Sequence, residues 1–577
     1  MVPIGLVLAV VFGGLGAGPA PTEPDSQAAR IVARAIEALG GRAALERHPS
    51  LHGRGTVEVL GGYVGPYQVW RRAPNSMRTQ WDIGVIKHDL GFDGRNGWEK
   101  ALTVRELPPL DHARVARRAL FNGLLWHLRS DHRMTVVSAS GDTTAVKFAV
   151  PGGLDETFYF DPTTSLPARE VRLTRYEEGL ESLNVSYGDW RRVGDVMLPH
   201  AIRESLLELP LSIRIEEYRL DPPVSDTLFV NPNRSRFAEP IGVTLATIPK
   251  NIYKEHDGGE PARWQRSWGI PFGPTESWLV NVLVRERLGR QVMPLTARVE
   301  MLAGSRTVKT MELSEALLTA GKKYPAARFY PQDEIFHFRH HFAEHAELGV
   351  DRMRYTFRYR TPGGKRDSAE LTIPVSRYQT KTKLIAPIKG NLIATTGHEF
   401  YELGHKYEWS QQFSYDFIGL GAQLEVEKPG QTGNERWVTY GRELVAPGDG
   451  IVVYTRNDVP DMMPPSQYLK LKDPQWAIGG NSVIIDHGNG EISCLFHMKQ
   501  GSVRVQLGDR VTQGQVIGQI GSSGSPGSPH VHYQLQAEPK VFGADALPVQ
   551  FTNLVRARWL EGPAVVTPIR GVYLLAR

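Results

Sequence analysis

Between residues 481 and 536 the chain consists of short apolar segments separated by turn residues, and this spacing constrains the fold more than any other feature of the sequence. Segments such as VIID, ISCLF and QVIGQI are shorter than typical helices and are bounded by Gly, Asn, Pro and Ser, which indicates strands joined by tight turns. The predicted strands are 482–486, 492–497, 516–520 and 530–535, with an Asn-Gly hairpin turn at 487–490. We therefore expect a compact antiparallel β-domain with little helix.

Two histidines, His530 and His532, open the last of these strands, after the turn-rich stretch SGSPGSP. Because side chains alternate along a strand, both imidazoles are predicted on the same face. Two interpretations follow: a pair of polar residues on a solvent-facing strand, or one metal ligand and one catalytic base at a shared site. His497 ends the strand ISCLFH, and alternation predicts it on the face opposite to Cys494.

This region resembles the lysostaphin-type (LytM-like) zinc endopeptidases of bacterial cell walls. The resemblance is carried by GNSVIIDHGNG, by FHM at a strand end, by GSVRVQLGDRVTQGQVIGQIGSSG and by SPHVHYQL. It implies one zinc ion per chain, held by a His and an Asp of an early motif and by the second His of H-x-H. The matching positions here are Asp416, in FSYDFIGL, and His532. The two catalytic histidines of the family correspond to His497 and His530.

The remaining metal ligand has two candidates. In the best-known family members the His and the Asp are separated by three residues, and no His lies that close to Asp416. His405 is the nearest, across a longer loop that some relatives also carry, and we predict it as the ligand. His398 is the alternative. His487, in the hairpin turn, is predicted to be structural.

The resemblance implies hydrolysis of peptide cross-links in bacterial peptidoglycan by a zinc-activated water, with His497 and His530 handling protons or stabilising the oxyanion. One alternative is a binding or regulatory protein of the envelope that activates other wall hydrolases, as family members without metal ligands do. Another is a lipid or lipoprotein carrier with an accessory peptidase domain. Because the ligand and catalytic positions are retained, the sequence favours the enzyme. An insert, residues 456–476, is predicted to wall or partly cover the cleft.

The preceding two thirds of the chain are predicted to be mainly β and to form separate domains. Residues 27–45 have helical periodicity interrupted at Gly40-Gly41, and short alternating segments follow up to about residue 221. This region resembles the lipoprotein-carrier (LolA/LolB-like) half-barrel in ALGGRAAL, GRGTVEV, APNSMRT, GFDGRNGWE and YFDPTTSLPARE, which implies a lipid or lipoprotein partner. The predicted domains are an α+β half-barrel at 27–235, an immunoglobulin-like β-sandwich at 240–380, an antiparallel β peptidase domain at 384–554 and a C-terminal extension at 555–577.

One further motif, HFAEH at residues 341–345, matches H-x-x-E-H, an inverted form of the helical zinc-protease motif. A helix would place His341 and His345 one turn apart. The motif lies in the predicted sandwich and follows EIFHFRHHF, which alternates as a strand does. We therefore interpret it as a polar loop or short helix between strands.

The N-terminus and the composition bear on location and partners. Residues 1–20 contain an apolar run, small residues and a Pro-rich end, a pattern typical of a secretory signal peptide, although no Lys or Arg precedes the run. With Cys494 as the single cysteine, no intramolecular disulfide forms. No other apolar stretch is long enough for a transmembrane anchor, and no basic run indicates nucleic-acid binding. We expect an exported protein, in the periplasm, in the cell envelope or outside the cell.

Overall fold

The computed structural model describes most of the chain. The described residues are 26–59, 63–83, 87–100, 103–107, 109–130, 132–138, 144–150, 154–176, 179–206, 209–256, 275–319, 334–396, 405, 409–462, 478–524, 526–540, 543–556 and 573–576. Within them the chain is mainly β and is built from several predominantly antiparallel sheets, which confirms the predicted fold class. The predicted signal peptide and His398 lie outside the described residues.

Up to residue 220, the described strands form one continuous antiparallel sheet of thirteen strands. Strands consecutive in the chain are neighbours in the sheet, except for β6 and β7, which form its two edges. The first strand pairs with the thirteenth, so the order is β6-β5-β4-β3-β2-β1-β13-β12-β11-β10-β9-β8-β7. The strands are β1 (Ser50–Val59), β2 (Tyr63–Arg72), β3 (Ser76–Asp82), β4 (Lys87–Phe92), β5 (Gly97–Lys100), β6 (Val104–Glu106), β7 (Met134–Ser138), β8 (Thr144–Phe148), β9 (Glu156–Phe160), β10 (Pro167–Tyr176), β11 (Gly179–Val193), β12 (Val196–Leu206) and β13 (Leu209–Leu220).

Helices pack on this sheet through apolar faces. They are α1 (Ser26–Ala38), α2 (Arg42–Arg47), α3 (Pro109–Arg118) and α4 (Gly123–Arg129). The apolar residues of α1 that recur at helical spacing are buried in one cluster with Phe148 and Phe158 of the sheet. α1 ends at the predicted glycine pair: Gly40 has φ +122°, and a Cβ there would lie 2.4 Å from the carbonyl oxygen of Asp195.

The central region forms two groups of strands that face each other across one apolar core. β14, β15, β16 and β19 make one group, β17, β18, β20 and β21 make the other, and β15 and β21 join them as a parallel pair. Phe338 of the first group lies 6.2 Å from Tyr355 of the second, between ring centroids. This is the layering of a β-sandwich; the immunoglobulin-like connectivity stays a prediction. The elements are β14 (Val243–Thr247), β15 (Ile252–His256), β16 (Thr275–Glu286), β17 (Met293–Ala303), β18 (Arg306–Ser314), α5 (Glu315–Thr319), β19 (Phe336–His345), β20 (Arg352–Arg360) and β21 (Arg366–Arg377).

The HFAEH motif belongs to strand β19 and not to a loop or short helix, so that prediction was wrong. β19 pairs with β16 over its whole length. Its alternate residues Phe336, Phe338 and Phe342 fill the sandwich core, and this period of two selects a strand. Residues four apart in a strand lie about 13 Å apart, so His341 and His345 cannot share a metal ion in this conformation.

The last sheet of the described chain has the order β28-β25-β26-β27-β30-β23-β22-β33-β32, with β31 beside β30, and β24 pairs with β29 separately. The four strands predicted from turn spacing are present, each within one residue of its predicted ends. β33 pairs with β22, so this sheet continues past the predicted boundary at residue 554. The strands are β22 (Gly390–Thr396), β23 (Tyr415–Gly419), β24 (Glu443–Val445), β25 (Gly450–Arg456), β26 (Asn481–Asp486), β27 (Ile492–Met498), β28 (Arg510–Val511), β29 (Val516–Gln519), β30 (Val531–Gln536), β31 (Ala546–Leu547), β32 (Leu554–Arg556) and β33 (Tyr573–Ala576).

The central region contacts both of the other large sheets. The amide of Glu106 in edge strand β6 donates to the carbonyl oxygen of Gly289 in the central region at 2.7 Å. A Cβ at Gly289 would lie 2.1 Å from the carbonyl oxygen of Val104, so only glycine allows this approach. Between the central and last sheets, the buried carboxylate of Glu491 accepts hydrogen bonds from the Tyr378 hydroxyl and from the amides that follow it. In the described ranges, no helix has the length and apolar character needed to cross a membrane.

Candidate metal centre

The predicted metal and catalytic residues meet at the centre of the last sheet, on or beside strands β23, β30 and β27, with His405 in the segment before β23. Asp416 of β23 is directly opposite His532 of β30, and His532 is directly opposite Phe496 of β27. Directly paired residues point to the same face of a sheet. Both neighbouring strands therefore present a residue to the face that carries His530 and His532, as alternation along β30 predicts.

Asp416 lies between the two predicted histidine ligands. Its Oδ2 is 3.0 Å from Nε2 of His405, and its Oδ1 is 3.0 Å from Nδ1 of His532. One donor atom from each of the three residues lies within 4.8 Å of the other two. His532 and Asp416 are 4% and 8% exposed, so water satisfies little of their hydrogen-bonding capacity, whereas the His405 side chain is 28% exposed.

A chain of hydrogen bonds fixes the tautomer of His532. The amide nitrogen of Gln536 is within hydrogen-bond distance of the carbonyl oxygens of Glu538 and Lys540, and because carbonyls only accept, this nitrogen is the donor. Gln536 Oε1 is then an acceptor and receives the amide of Gln534. Gln534 Oε1 in turn accepts from Nε2 of His532 at 3.0 Å, so in neutral His532 the proton is on Nε2.

The lone pair of Nδ1 in His532 consequently faces a carboxylate oxygen 3.0 Å away. When His532 is neutral, two acceptors hold this distance in a buried site only with a cation between them. Donor atoms of a tetrahedral zinc site, each about 2 Å from the ion, lie a little over 3 Å apart. The His, Asp, His set also has the nitrogen and oxygen donors that zinc prefers. The residues present therefore fit a zinc ion held by His405, Asp416 and His532.

His497 reaches the same site because its backbone is left-handed. Regular alternation would place it opposite to Phe496 and Cys494, as predicted, but its φ is +61° and the pairing of β26 with β27 shifts register at this point. A bulge with a left-handed residue redirects a side chain. The ring of His497 lies 4.8 Å from that of His530 and 6.2 Å from that of His532, which corrects the prediction from alternation.

Neighbouring side chains support this bulge. The carbonyl oxygen of Met498 accepts from the Asn481 amide at 3.1 Å and from the Ser523 hydroxyl at 2.6 Å. Both Asn481 and Ser523 are fully buried, so these bonds are shielded from water. A non-glycine residue at positive φ is strained, and it persists where surrounding contacts hold it. The GNS motif at the start of β26 thus has a local structural role beside the site.

His497 and His530 share one tautomer, which is opposite to that of His532. Nδ1 of His497 donates to the carbonyl oxygen of Ser523 at 2.8 Å, and Nδ1 of His530 donates to that of Ser528 at 2.7 Å. In each neutral ring Nε2 therefore carries the lone pair. Nε2 of His530 lies 3.4 Å from Oδ1 of Asp416, so this lone pair is at the metal site.

Burial and the mutual charges of the cluster shift its pKa values. Burial opposes ionisation of Asp416, but the charge and hydrogen bond of His405 and the bonds to the other histidines hold its pKa well below the usual range. Burial, aided by the neighbouring histidines, lowers the pKa of His497 and that of His532. For His530 the hydrogen bond and charge of Asp416 outweigh burial and raise the pKa.

Other residues singled out in the sequence lie elsewhere. His487 has its ring nitrogens 2.7 Å from the carbonyl oxygen of Asp449 and 2.8 Å from the Ser493 hydroxyl, away from the cluster. The insert at 456–476 is described only to residue 462. Gln534 and Gln536 were not predicted. The period-two pattern of HVHYQLQ places both on the face of His530 and His532, and it was the available signal.

Residues 431–542 match the model of Peptidase family M23. This part of the chain is a peptidase family M23 domain. The matched range contains His497, His530 and His532 and begins after His405 and Asp416. The lysostaphin-type resemblance inferred from the sequence is thereby confirmed.

Two relatives and one structure illustrate the similarities. The chain is 33% identical over 95 residues to peptidoglycan DD-endopeptidase ShyA of Vibrio cholerae serotype O1, which covers 16% of this chain and 17% of ShyA. It is 25% identical over 101 residues to cell division protein DipM of Caulobacter vibrioides, covering 18% and 14%. The chain thus spans less than a fifth of the length of these relatives. A LolA superfamily protein, NE2245 from Nitrosomonas europaea, is similar over 35% of this chain and 97% of its own, at 13% identity and a TM-score of 0.27.

Proposed function

We propose that this protein is an exported zinc metallo-endopeptidase that hydrolyses peptide cross-links of bacterial peptidoglycan. In this proposal His405, Asp416 and His532 hold the zinc ion, and His497 and His530 act on the substrate. The observation that carries it is the convergence of these side chains on Asp416: Nδ1 of His532 lies 3.0 Å and Nε2 of His530 lies 3.4 Å from its Oδ1, and Nε2 of His405 lies 3.0 Å from its Oδ2. Ring nitrogens that meet at one buried carboxylate can supply both metal ligands and a neighbouring proton-transfer group.

The protein's own residues then divide the reaction between them. A bound zinc ion supplies Lewis acidity toward the scissile carbonyl and the attacking water. Nε2 of His530 and Nε2 of His497 accept a proton when neutral and donate it when protonated, so they take the water's proton and pass it to the leaving amine nitrogen. Their Nδ1 protons stay bonded to the carbonyls of Ser528 and Ser523, which keeps each ring oriented through the cycle.

The substrate class comes from the relatives and from the N-terminus. ShyA is named a peptidoglycan DD-endopeptidase, and its similarity covers the domain that carries three of the five site residues. The signal-peptide pattern of residues 1–20 would deliver the chain to the compartment that contains peptidoglycan. We therefore propose a periplasmic, envelope or extracellular location, with peptidoglycan peptides as substrate and a bond between D-amino acids as the first to test.

The test is to incubate the full chain with zinc and purified peptidoglycan and to identify released peptides by mass spectrometry. We expect cross-linked peptides to be cut by the wild type and not by His532→Ala. His487→Ala is the matched control, because it removes a histidine of the same domain that bonds outside the cluster. Equal release by His532→Ala would overturn the assignment of the site.

The same purified protein tests two other activities. If the wild type releases no peptides but increases their release by a second wall hydrolase, the protein is a regulator of that hydrolase. The similarity to a cell division protein is a reason to run this assay before the lipid assay. If lipid co-purifies with the chain and is lost on delipidation, the N-terminal sheet is a carrier domain. Either result would replace or extend the endopeptidase assignment.

A further inference from the structure

The segment between the two early ligands, His405 and Asp416, contacts a different part of the protein. Trp409 is 5% exposed and packs in one cluster with Ile248 and Leu283 of the central region. Three residues separate it from His405. The long spacing between the ligands, which sets this chain apart from the best-known family members, therefore includes a residue buried against the central sheet.

A second contact from the same segment supports the first. Phe413 is 2% exposed, and its ring centroid lies 6.5 Å from that of Tyr253 on β15 of the central region. Tyr253 itself packs against the core of the last sheet and lies 5.0 Å from Tyr378. The segment is thus held at two points, one after His405 and one before Asp416.

The central strand that receives Trp409 is buried on both faces. In β16, Trp278, Val280 and the following alternate residues fill the sandwich core. The residues between them, Leu279 and Leu283, are 3% and 0% exposed on the other face. An antiparallel strand with one solvated face alternates apolar and exposed polar residues. In SWLVNVLV the two polar residues, Ser277 and Asn281, are buried as well, at 8% and 0% exposure. The outer face of β16 is built to be covered, and Trp409 covers part of it.

We propose that Trp409 is a positioning residue for the metal centre. Docked on Ile248 and Leu283, it holds His405 beside Asp416, so that the central sheet completes a site whose other residues lie in the last sheet. This inference rests on the proposed function, because it concerns the zinc site described there. His405 is the most exposed of the three ligand side chains and needs such support most. The central region is then part of the peptidase and not a separate binding module.

The test measures zinc affinity of the full chain by competition with a chromophoric chelator. We expect Trp409→Ala to weaken zinc binding about 10-fold or more, the range found when support for a metal ligand is removed. Trp409→Phe keeps an aromatic ring in the cluster and should stay within about 3-fold of the wild type. Ile248→Ala, on the central side of the same contact, should weaken binding in the same direction, and it tests the proposal if Trp409→Ala does not fold.

Val452→Ala is the control for a general loss of packing. Val452 is fully buried in the core of the last sheet, on β25, which is separated from β30 by β26 and β27. It should lower the thermal midpoint without changing zinc affinity. A wild-type chain that binds no zinc would overturn the proposed function and this inference together. A wild type that binds zinc while Trp409→Ala binds it equally tightly would overturn this inference alone.

Discussion

The hydrogen-bond relay behind His532 gives the sharpest prediction, and Gln534→Leu is the change that tests it. Gln534 is 1% exposed; it accepts from Nε2 of His532 and donates to Oε1 of Gln536. Leucine has a similar volume but neither group. The substitution therefore leaves one buried donor and one buried acceptor without partners and also frees the ring of His532 to change its tautomer.

The magnitude follows from those two groups. Each buried polar group left unsatisfied costs about 1–3 kcal/mol, and burying a leucine side chain returns about 1 kcal/mol or more. We expect Gln534→Leu to lower the free energy of unfolding of the metal-free domain by about 3 kcal/mol. Loss of a partner behind a metal-binding histidine lowers metal affinity by about 10–100-fold, and we expect zinc binding to weaken within that range.

Gln534→Glu separates the relay from simple packing. Glutamate still accepts from His532, but its second oxygen faces Oε1 of Gln536, which cannot turn because its amide donates to two backbone carbonyls. We therefore expect this variant also to be less stable than the wild type at neutral pH. Gln500→Leu, at an exposed position, is the control and should change stability by less than about 0.5 kcal/mol.

The assays are denaturant unfolding in the presence of chelator and zinc competition with a chromophoric ligand. Unchanged stability and unchanged zinc affinity in Gln534→Leu would refute the relay. A Gln534→Glu variant as stable as the wild type would refute the fixed orientation of Gln536, and with it the tautomer assigned to His532.

Three further predictions concern single residues. Burial lowers the pKa of His340 to about 4, and its Nε2 has no hydrogen-bond partner in the described chain. Because the unfolded state takes up a proton at a higher pH than the folded state, the free energy of unfolding should fall by about 2 kcal/mol as the pH drops from 6.5 to 4. His340→Phe should abolish this loss in unfolding titrations. Asparagine tolerates positive φ, so the free energy of unfolding of His497→Asn should exceed that of His497→Val by about 1–2 kcal/mol in denaturant titrations. Both variants should be inactive on peptidoglycan. Burial alone would raise the pKa of Glu491, but its hydrogen bonds outweigh this effect and hold the pKa below 4.5. The stability that ionised Glu491 adds is therefore present above pH 4.5 and lost as the pH falls below it. In Glu491→Gln the free energy of unfolding should depend less on pH in this acid range.

Turn chemistry made the last sheet predictable from sequence. Gly, Asn and Pro mark where β26, β27, β29 and β30 end, and these signals act over a few residues, so the strand bounds were recovered within one residue. The face shared by His530 and His532 follows from the same period of two. Local rules therefore located two strands of the candidate site, β27 and β30, and the face of two of its histidines.

The parts that sequence reasoning missed depend on contacts between distant residues. The left-handed backbone of His497 is supported by Asn481 and Ser523, which lie 16 and 26 residues away along the chain, so strict alternation put the ring on the wrong face. Trp409 packs against Ile248, more than 150 residues earlier, and no local pattern indicates that partner. HFAEH matched a helical motif, but pairing with β16 over its whole length made it a strand.

The hydrogen bond between Glu106 and Gly289 has a consequence for the association of chains. A sheet of thirteen strands has two edges, and a bare edge offers unpaired amides and carbonyls to any other extended chain. At β6 the central region already takes the amide of Glu106, and the close approach at Gly289 leaves no room for an added strand there. The central sandwich therefore also protects the N-terminal sheet from edge-to-edge aggregation, and a fragment cut off after β13 would carry that edge uncovered.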